Sequence, residues 1–342
     1  MKKVVTFGEI MLRLSPPGFE RLLQSPLLVA TFGGGEANVA VSLAQFGLDS
    51  VYVTALPNNA IGDAAIRALR AEGVRTDRIV RSGSRVGIYF TEIGASQRAS
   101  TVLYDRARSA ISEMAPDKVD WKALFDGADW FHVTGITPAL GANGAEATRQ
   151  AIAAAHAAGA RVSVALNFRK KLWTEAQAQA VMCPLMREVD VVIANEEDLQ
   201  SVLGVHVPDT DVTSGQLNLD GFRQAAERVT KEFGPPMVAI TLRESVSASD
   251  NGWSAALWDA AAGTMQRSQR YDVRLVDRIG GGDSFAAGLI YGLVTGRTPG
   301  NALRFAVAAS ALKQTVPGDF NRMSADEVDR LAEGDASGRV QR

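Results

Sequence analysis

Short apolar runs alternate along this chain with longer segments of helical period. The candidate strands are residues 4–8, 50–55, 130–134, 162–166, 189–194 and 237–242. Helical patterns lie between them at 36–46, 63–72 and 145–158. Each helical pattern ends at a glycine: Gly47, Gly73 and Gly159. Glycine is the residue best suited to the left-handed position just past a helix end. The strands are apolar at nearly every position, not at alternate ones. Such strands have both faces buried, so the pattern predicts an α/β fold with a parallel sheet covered by helices on both sides.

Two segments break this rhythm. Residues 9–32 carry Pro16-Pro17-Gly18 and have no long helical period. Residues 85–108 alternate, with Val86, Ile88 and Phe90 and then Thr101, Leu103 and Tyr104, around a polar tip at 94–99. Alternation on both sides of such a tip predicts a hairpin. The two segments together predict a small β-sheet lid inserted into one α/β domain that spans 1–335. Residues 208–218 read as a polar loop and 336–342 as a flexible tail.

Composition narrows the functional classes. The chain has 342 residues, 46% of them hydrophobic, enough for one large domain with an appendage or for two domains. A formal net charge of -2 gives no global basic field for nucleic acid. Cys183 is the only cysteine, so no intrachain disulfide can form, and a reducing cytoplasm fits. His132, His156 and His206 lie far apart, without metal-ligand spacing. Glu9 and Arg13 interrupt the apolar stretch behind Met1-Lys2-Lys3, which argues against a signal peptide. No run is long enough to predict a membrane span. The expectation is a soluble cytoplasmic protein.

The chemistry concentrates at Asp277-Arg278-Ile279-Gly280-Gly281-Gly282-Asp283, which an apolar helical run follows at once. Backbone N–H groups in such a turn can approach a ligand closely, and the helix N-terminus behind it favours an anion. Asp283 would repel a phosphate, so it suits removal of a proton from a hydroxyl beside one. The same residues also fit a plain glycine turn capped by Asp283. A second glycine turn, Gly33-Gly34-Gly35-Glu36-Ala37-Asn38, opens another helix. Its backbone and the Asn38 amide suit hydroxyl recognition, though a plain helix start fits equally. The chain has no Gly-Lys pair, which excludes a P-loop. Neither glycine turn has the third glycine of a dinucleotide fingerprint, which disfavours a nicotinamide oxidoreductase. A sugar-acid sensor without turnover would not need a base at Asp283.

These two elements, in this order and at opposite ends of the chain, resemble those of the ribokinase-like (PfkB) carbohydrate kinases. The resemblance runs end to end and implies a three-layer ribokinase-like fold with a β-sheet lid. Gly281 stands where that family usually has alanine. A closer similarity, to kinases of 2-keto-3-deoxygluconate, is carried by Tyr104-Asp105-Arg106-Ala107-Arg108-Ser109-Ala110, Leu166-Asn167-Phe168-Arg169 and Thr241-Leu242-Arg243-Glu244-Ser245. The resemblance implies that Gly34, Asn38, Tyr104, Arg106 and Arg169 hold a sugar acid. The two arginines would grip its carboxylate, which suits their planar forks. Asp283 would be the base, with Gly280, Gly281 and Gly282 holding the transferred phosphoryl group. ATP and Mg²⁺ are implied, with room for a monovalent cation. Asn195, Thr241, Arg243 and Ala309 would line the nucleotide site, the base lying against the small residues of 302–313. Asp198 or Glu197 would act on Mg²⁺ through water. Many relatives have glycine at the places of Arg243 and Val246, so the nucleotide contact there must differ. The resemblance also implies a homo-oligomer formed through lid contacts.

Overall fold

The structure is a computed structural model that describes residues 1–208 and 218–335. Apart from its two end residues, the loop expected over 208–218 lies outside them, as does the tail expected over 336–342. Among the described residues, nine strands form the main sheet. Its order runs Thr264–Arg267, Asp250–Asp259, Met237–Ser245, Val191–Ala194, Arg161–Ala165, Trp130–Thr134, Lys3–Phe7, Asp49–Val53, with Tyr271–Arg274 also paired to Asp250–Asp259. From Met237–Ser245 to Asp49–Val53 every neighbouring pair is parallel.

Both faces of this sheet are buried, as the near-continuous apolar strands require. Val5, Phe7, Phe131, Val133, Val162 and Val164 point into one core, with Ala151 and Ile152 of the Ala142–Ala157 helix and Phe222 of Leu219–Phe233. Val4, Trp130, Ala165, Val191 and Ile193 point into the other, with Phe285 and Leu289 of the Gly281–Val294 helix and Phe305 of Pro299–Lys313. Alternate residues of a strand face opposite sides, so one sheet feeds two cores and the fold has three layers.

The expected helices are present as Gly35–Gln45, Ala60–Ala71 and Ala142–Ala157. The second begins three residues before the expected start. Asn59 accepts from the Ile61 and Gly62 amides there and nucleates the first turn early. Gly47, Gly73 and Gly159 all have positive φ. The sheet also departs from the expectation. Met237–Ser245 runs past 242 because it pairs along its whole length with the antiparallel Asp250–Asp259. That strand and its two antiparallel neighbours extend the parallel sheet at one edge.

A separate four-stranded sheet has the order Val29–Gly33, Met11–Ser15, Gly87–Glu92, Thr101–Asp105. The last two form the expected hairpin, in register from Ile88 opposite Asp105 to Glu92 opposite Thr101. The hairpin tip touches the main body: the Ser96 amide donates to Ser249 Oγ at 2.9 Å, and the Ala248 amide to the Ser96 carbonyl at 2.8 Å.

The chain leaves Lys3–Phe7 for Asp49–Val53 on one side and later adds Trp130–Thr134 on the other. This is a switch in strand order. Open sheets of this kind bind ligands outside the carboxyl ends of the strands at such a point.

Candidate active site

The loops at those carboxyl ends carry the polar residues. Glu9 follows Lys3–Phe7, Asn167 and Arg169 follow Arg161–Ala165, and Asn195 follows Val191–Ala194. The helices Gly35–Gln45 and Gly281–Val294 bring their N-termini to the same place. Two adjoining cavities open there, of about 280 Å³ and about 290 Å³. Asn167, Arg169, Arg278, Gly282 and Asp283 line both. One cavity extends beneath the small sheet to Gly34, Tyr104 and Arg106. The other extends along the main sheet to Asn195, Thr241 and Arg243.

Asp283 stands on the boundary. Burial raises its pKa to about 6, opposed by a hydrogen bond from Asn38, assisted by Asp319, and opposed again by Arg169 and Lys313. Asn38 Nδ2 donates to Asp283 Oδ2 at 2.7 Å, while Asn38 Oδ1 accepts the Gly34 amide at 3.2 Å. Asn38 thus ties the early glycine turn to the late one. It is buried, and one of its two N–H groups orients Asp283. Asn38 also lines the cavity beneath the small sheet, where recognition of a sugar hydroxyl is expected.

The late turn is held from beneath. Gly280 has φ of 82°, and a Cβ there would lie 2.1 Å from the Asp319 carbonyl oxygen. Only glycine fits both conditions. Asp277 Oδ1 accepts the Ile279 amide at 3.1 Å. Its Oδ2 accepts Arg13 Nη2 at 2.6 Å and the Gly318 amide at 3.0 Å. Arg13 Nη1 also reaches Asp319 Oδ1 at 2.7 Å, and the Tyr89 hydroxyl donates to Asp319 Oδ2 at 2.6 Å. Burial opposes the Arg13 charge, but Asp277 and Asp319 outweigh it and raise the pKa. This buried network joins the small sheet, which supplies Arg13 and Tyr89, to the glycine turn. The Gly281 amide donates to the Arg278 carbonyl at 3.3 Å, the Gly282 and Asp283 amides have no intrahelical acceptor, and a Cβ on Gly282 would meet nothing within 4 Å. Open space therefore borders the turn where an anion would sit.

On the side of the small sheet, Gly34 permits a close approach: a Cβ there would lie 1.9 Å from the Glu9 carbonyl oxygen. Glu36 fixes the same turn. Its Oε1 accepts the Thr134 amide, the Thr134 hydroxyl and the Thr137 hydroxyl at 2.9, 2.8 and 2.7 Å. Burial raises its pKa to about 7 against these donors. Arg106 is buried and paired with Glu9, whose Oε1 has no partner among the described residues. Arg106 thus already carries a carboxylate partner, Glu9, while it lines the cavity beside Tyr104. Arg169 is different. Its Nη1 donates to the Phe168 carbonyl at 2.9 Å, and among the described residues no carboxylate lies within ion-pair distance.

On the other side, Arg243 and Arg278 face one cavity. Burial and then Arg243 lower the Arg278 pKa. An anion entering there would relieve both like charges. Asn195 caps the Glu196–Leu203 helix, accepting the Asp198 amide at 2.8 Å. Asp198 returns this bond to the Asn195 amide at 3.4 Å and accepts the Phe168 amide at 2.8 Å. Burial raises its pKa to about 6. Each of its oxygens accepts one backbone amide, so Asp198 completes the capping box of Asn195 and shapes the Arg169 loop while also lining the cavity. Glu197 is exposed at the cavity rim. Ala309 does not line the cavity: it is fully buried between helices, where a Cβ on Gly288 would lie 3.3 Å from its own. Thr241 does line it, with its hydroxyl 3.4 Å from the Ala194 carbonyl. Burial lowers the His132 pKa to about 3, which leaves it neutral. Among the described residues, no group of three or more His, Cys, Asp or Glu side chains could hold a metal by itself.

A family model described as pfkB family carbohydrate kinase matches residues 1–325. The chain belongs to that family. This carbohydrate kinase is therefore a phosphotransferase. It is similar to a solved 2-dehydro-3-deoxygluconokinase from Thermotoga maritima, at 51% identity and a TM-score of 0.94, covering 98% of this chain and 100% of that one. It is 32% identical to a 2-dehydro-3-deoxygalactonokinase from Haloferax volcanii, over 98% of each chain. A 2-dehydro-3-deoxygluconokinase from Bacillus subtilis is 27% identical over 94% of this chain and 93% of its own. Arg13, Lys313, Asp319 and Arg278, which the sequence reading did not select, frame the site of this carbohydrate kinase. Arg278 and Asp277 lie inside the recognised motif, so their spacing was the available signal. Arg13 and Asp319 meet across 306 residues, and nothing local marks that pair.

Proposed function

We propose that this carbohydrate kinase phosphorylates 2-keto-3-deoxygluconate at its terminal hydroxyl, with ATP as donor. The observation that carries this reading is the pair of cavities meeting at Asp283, with Arg169 on their common wall and in contact with no carboxylate among the described residues. A sugar acid under the small sheet would place its carboxylate against Arg169 and its terminal hydroxyl toward Asp283. Asp283 takes the hydroxyl proton. Its pKa of about 6 leaves it ionised at neutral pH yet basic enough to accept that proton. Gly34 and Tyr104 bound the sugar. The small sheet acts as a lid that excludes water.

The second cavity fits a nucleotide polyphosphate, because Arg243, Arg278 and the Gly281–Gly282 turn converge on it. Asn195 and Thr241 would border the nucleotide, and Glu197 would reach Mg²⁺ through water. When bound, Mg²⁺ neutralises charge on the phosphate oxygens. The amides at Gly280, Gly281 and Gly282 stabilise the negative charge that develops during transfer. A cytoplasmic setting fits this metabolism. The 32% relative named for the galacto sugar acid favours, as a second reading, the substrate epimeric at C4.

The test is ADP release with 2-keto-3-deoxygluconate, its galacto epimer, fructose and ribose. The sugar acids should turn over best. Hydrogen bonds to charged groups contribute roughly 1.5–3 kcal/mol, so Arg169→Ala should lower kcat/KM for the acid about ten- to a hundredfold. Neutral sugars should change little, and Arg169→Lys should rescue only partly. A neutral sugar as the better substrate, or equal slowing of both kinds, would overturn the sugar-acid assignment.

A further inference from the structure

Lys313 has no role in the scheme above, yet it is fully buried directly beneath the glycine turn. It ends the Pro299–Lys313 helix. Its Nζ donates to the Asp277 carbonyl at 3.2 Å and to the Ile279 carbonyl. Its Cε lies 3.2 Å from where a Cβ on Gly280 would stand. Burying an ammonium is unfavourable unless new partners replace its water. Here the new partners are main-chain carbonyls. Burial lowers the Lys313 pKa, Asp277 and Asp319 oppose that, Arg13 adds to it, and Asp283 opposes it again. Simple packing under this turn would be met by a methionine or leucine, without that desolvation.

The geometry gives the charge a use. A trans peptide points its C=O and its N–H in opposite directions. Drawing the Ile279 carbonyl down onto Lys313 therefore turns the Gly280 N–H away from it. The ammonium also adds positive charge below the helix N-terminus, where an anion is to be stabilised. We propose that Lys313 is an internal cation, a positioning residue that holds the 277–280 turn in its anion-binding form and makes a free monovalent cation unnecessary. The proposal rests on reading Gly280–Gly282 as the phosphoryl-binding turn.

Three measurements on the full-length enzyme test it. First, wild-type turnover is measured in a tetramethylammonium buffer, with and without added K⁺, Na⁺ or NH₄⁺. Turnover should be unchanged, and a strict requirement for K⁺ would overturn the proposal even if no variant folds. Second, Lys313→Met keeps the volume and removes the charge. Its kcat should fall roughly ten- to a thousandfold, the scale of damage to a preorganised anion hole, with KM for the sugar acid near wild type. Third, Lys313→Ala should regain part of its kcat with ammonium or methylammonium, which a purely structural role would not produce. A folded Lys313→Met with wild-type kcat, or a folded Lys313→Ala indifferent to ammonium, would overturn it. A wild type that releases no ADP with any sugar overturns the function reading as well. An active wild type that fails these tests overturns the Lys313 proposal alone.

Discussion

Burial raises the Asp283 pKa to about 6, and its place between the two cavities should make that visible in the pH dependence of turnover. The sign follows from burial, which favours the protonated form, so the base is lost as pH falls through about 6. The expected outcome is a kcat/KM for the sugar acid that drops tenfold per unit below that pH; a flat profile down to pH 5 would contradict it. Asp283→Asn should lower turnover by ~10²–10⁴ while nucleotide affinity holds or rises. Near-wild-type turnover would remove Asp283 from its role. At this scale the sequence showed which residue types cluster in motifs, but not where their spare oxygens point. Asp198 illustrates this: each of its oxygens accepts one backbone amide, from Phe168 and from Asn195. Arg106 illustrates it again, because its partner Glu9 lies 97 residues away. A side chain's partners across such distances are set by the sheet, not by its neighbours in sequence.

The elements were more legible than their contents. Apolar runs with both faces buried mark parallel strands, and glycines mark helix ends, because these signals are local. The antiparallel edge after residue 245 was missed. Asp250–Asp259 contains Gly252, Ser254, Ala255 and Ala256, which blur any alternation, and its strand character comes from pairing with Met237–Ser245. Packing between elements also sets the tolerance of the glycine turns. Gly34→Ala would place a methyl 1.9 Å from the Glu9 carbonyl oxygen, a backbone atom that no rotamer change can move aside. Relief requires the helix Gly35–Gln45 to move away from the Lys3–Phe7 loop. Overpacking of this kind typically costs about 1–3 kcal/mol. We expect a lower thermal midpoint and an additional loss of kcat/KM, since Asn38 moves with that helix. An unchanged midpoint in a scanning calorimeter would show that the turn has slack.

Across the whole molecule, the small sheet carries exposed apolar residues at its edges. Val29 is 49% and Leu103 57% exposed, on strands that form its two edges. Unpaired edges carrying apolar side chains favour association. A homo-oligomer through this sheet is the expected outcome by light scattering at micromolar concentration, and Leu103→Glu should weaken it. A fully active monomer would count against the lid contacts. The common wall of the two cavities has a further, stereochemical consequence. On the proposed reading, sugar acid and nucleotide occupy the cavities together, on opposite sides of Asp283, and the phosphorus should cross in a single in-line displacement. A single displacement inverts the configuration of a chiral phosphoryl group, whereas passage through a phosphorylated Asp283 would be two displacements and would retain it. With a γ-phosphorothioate made chiral by oxygen isotopes, the sugar-acid product should carry the inverted configuration.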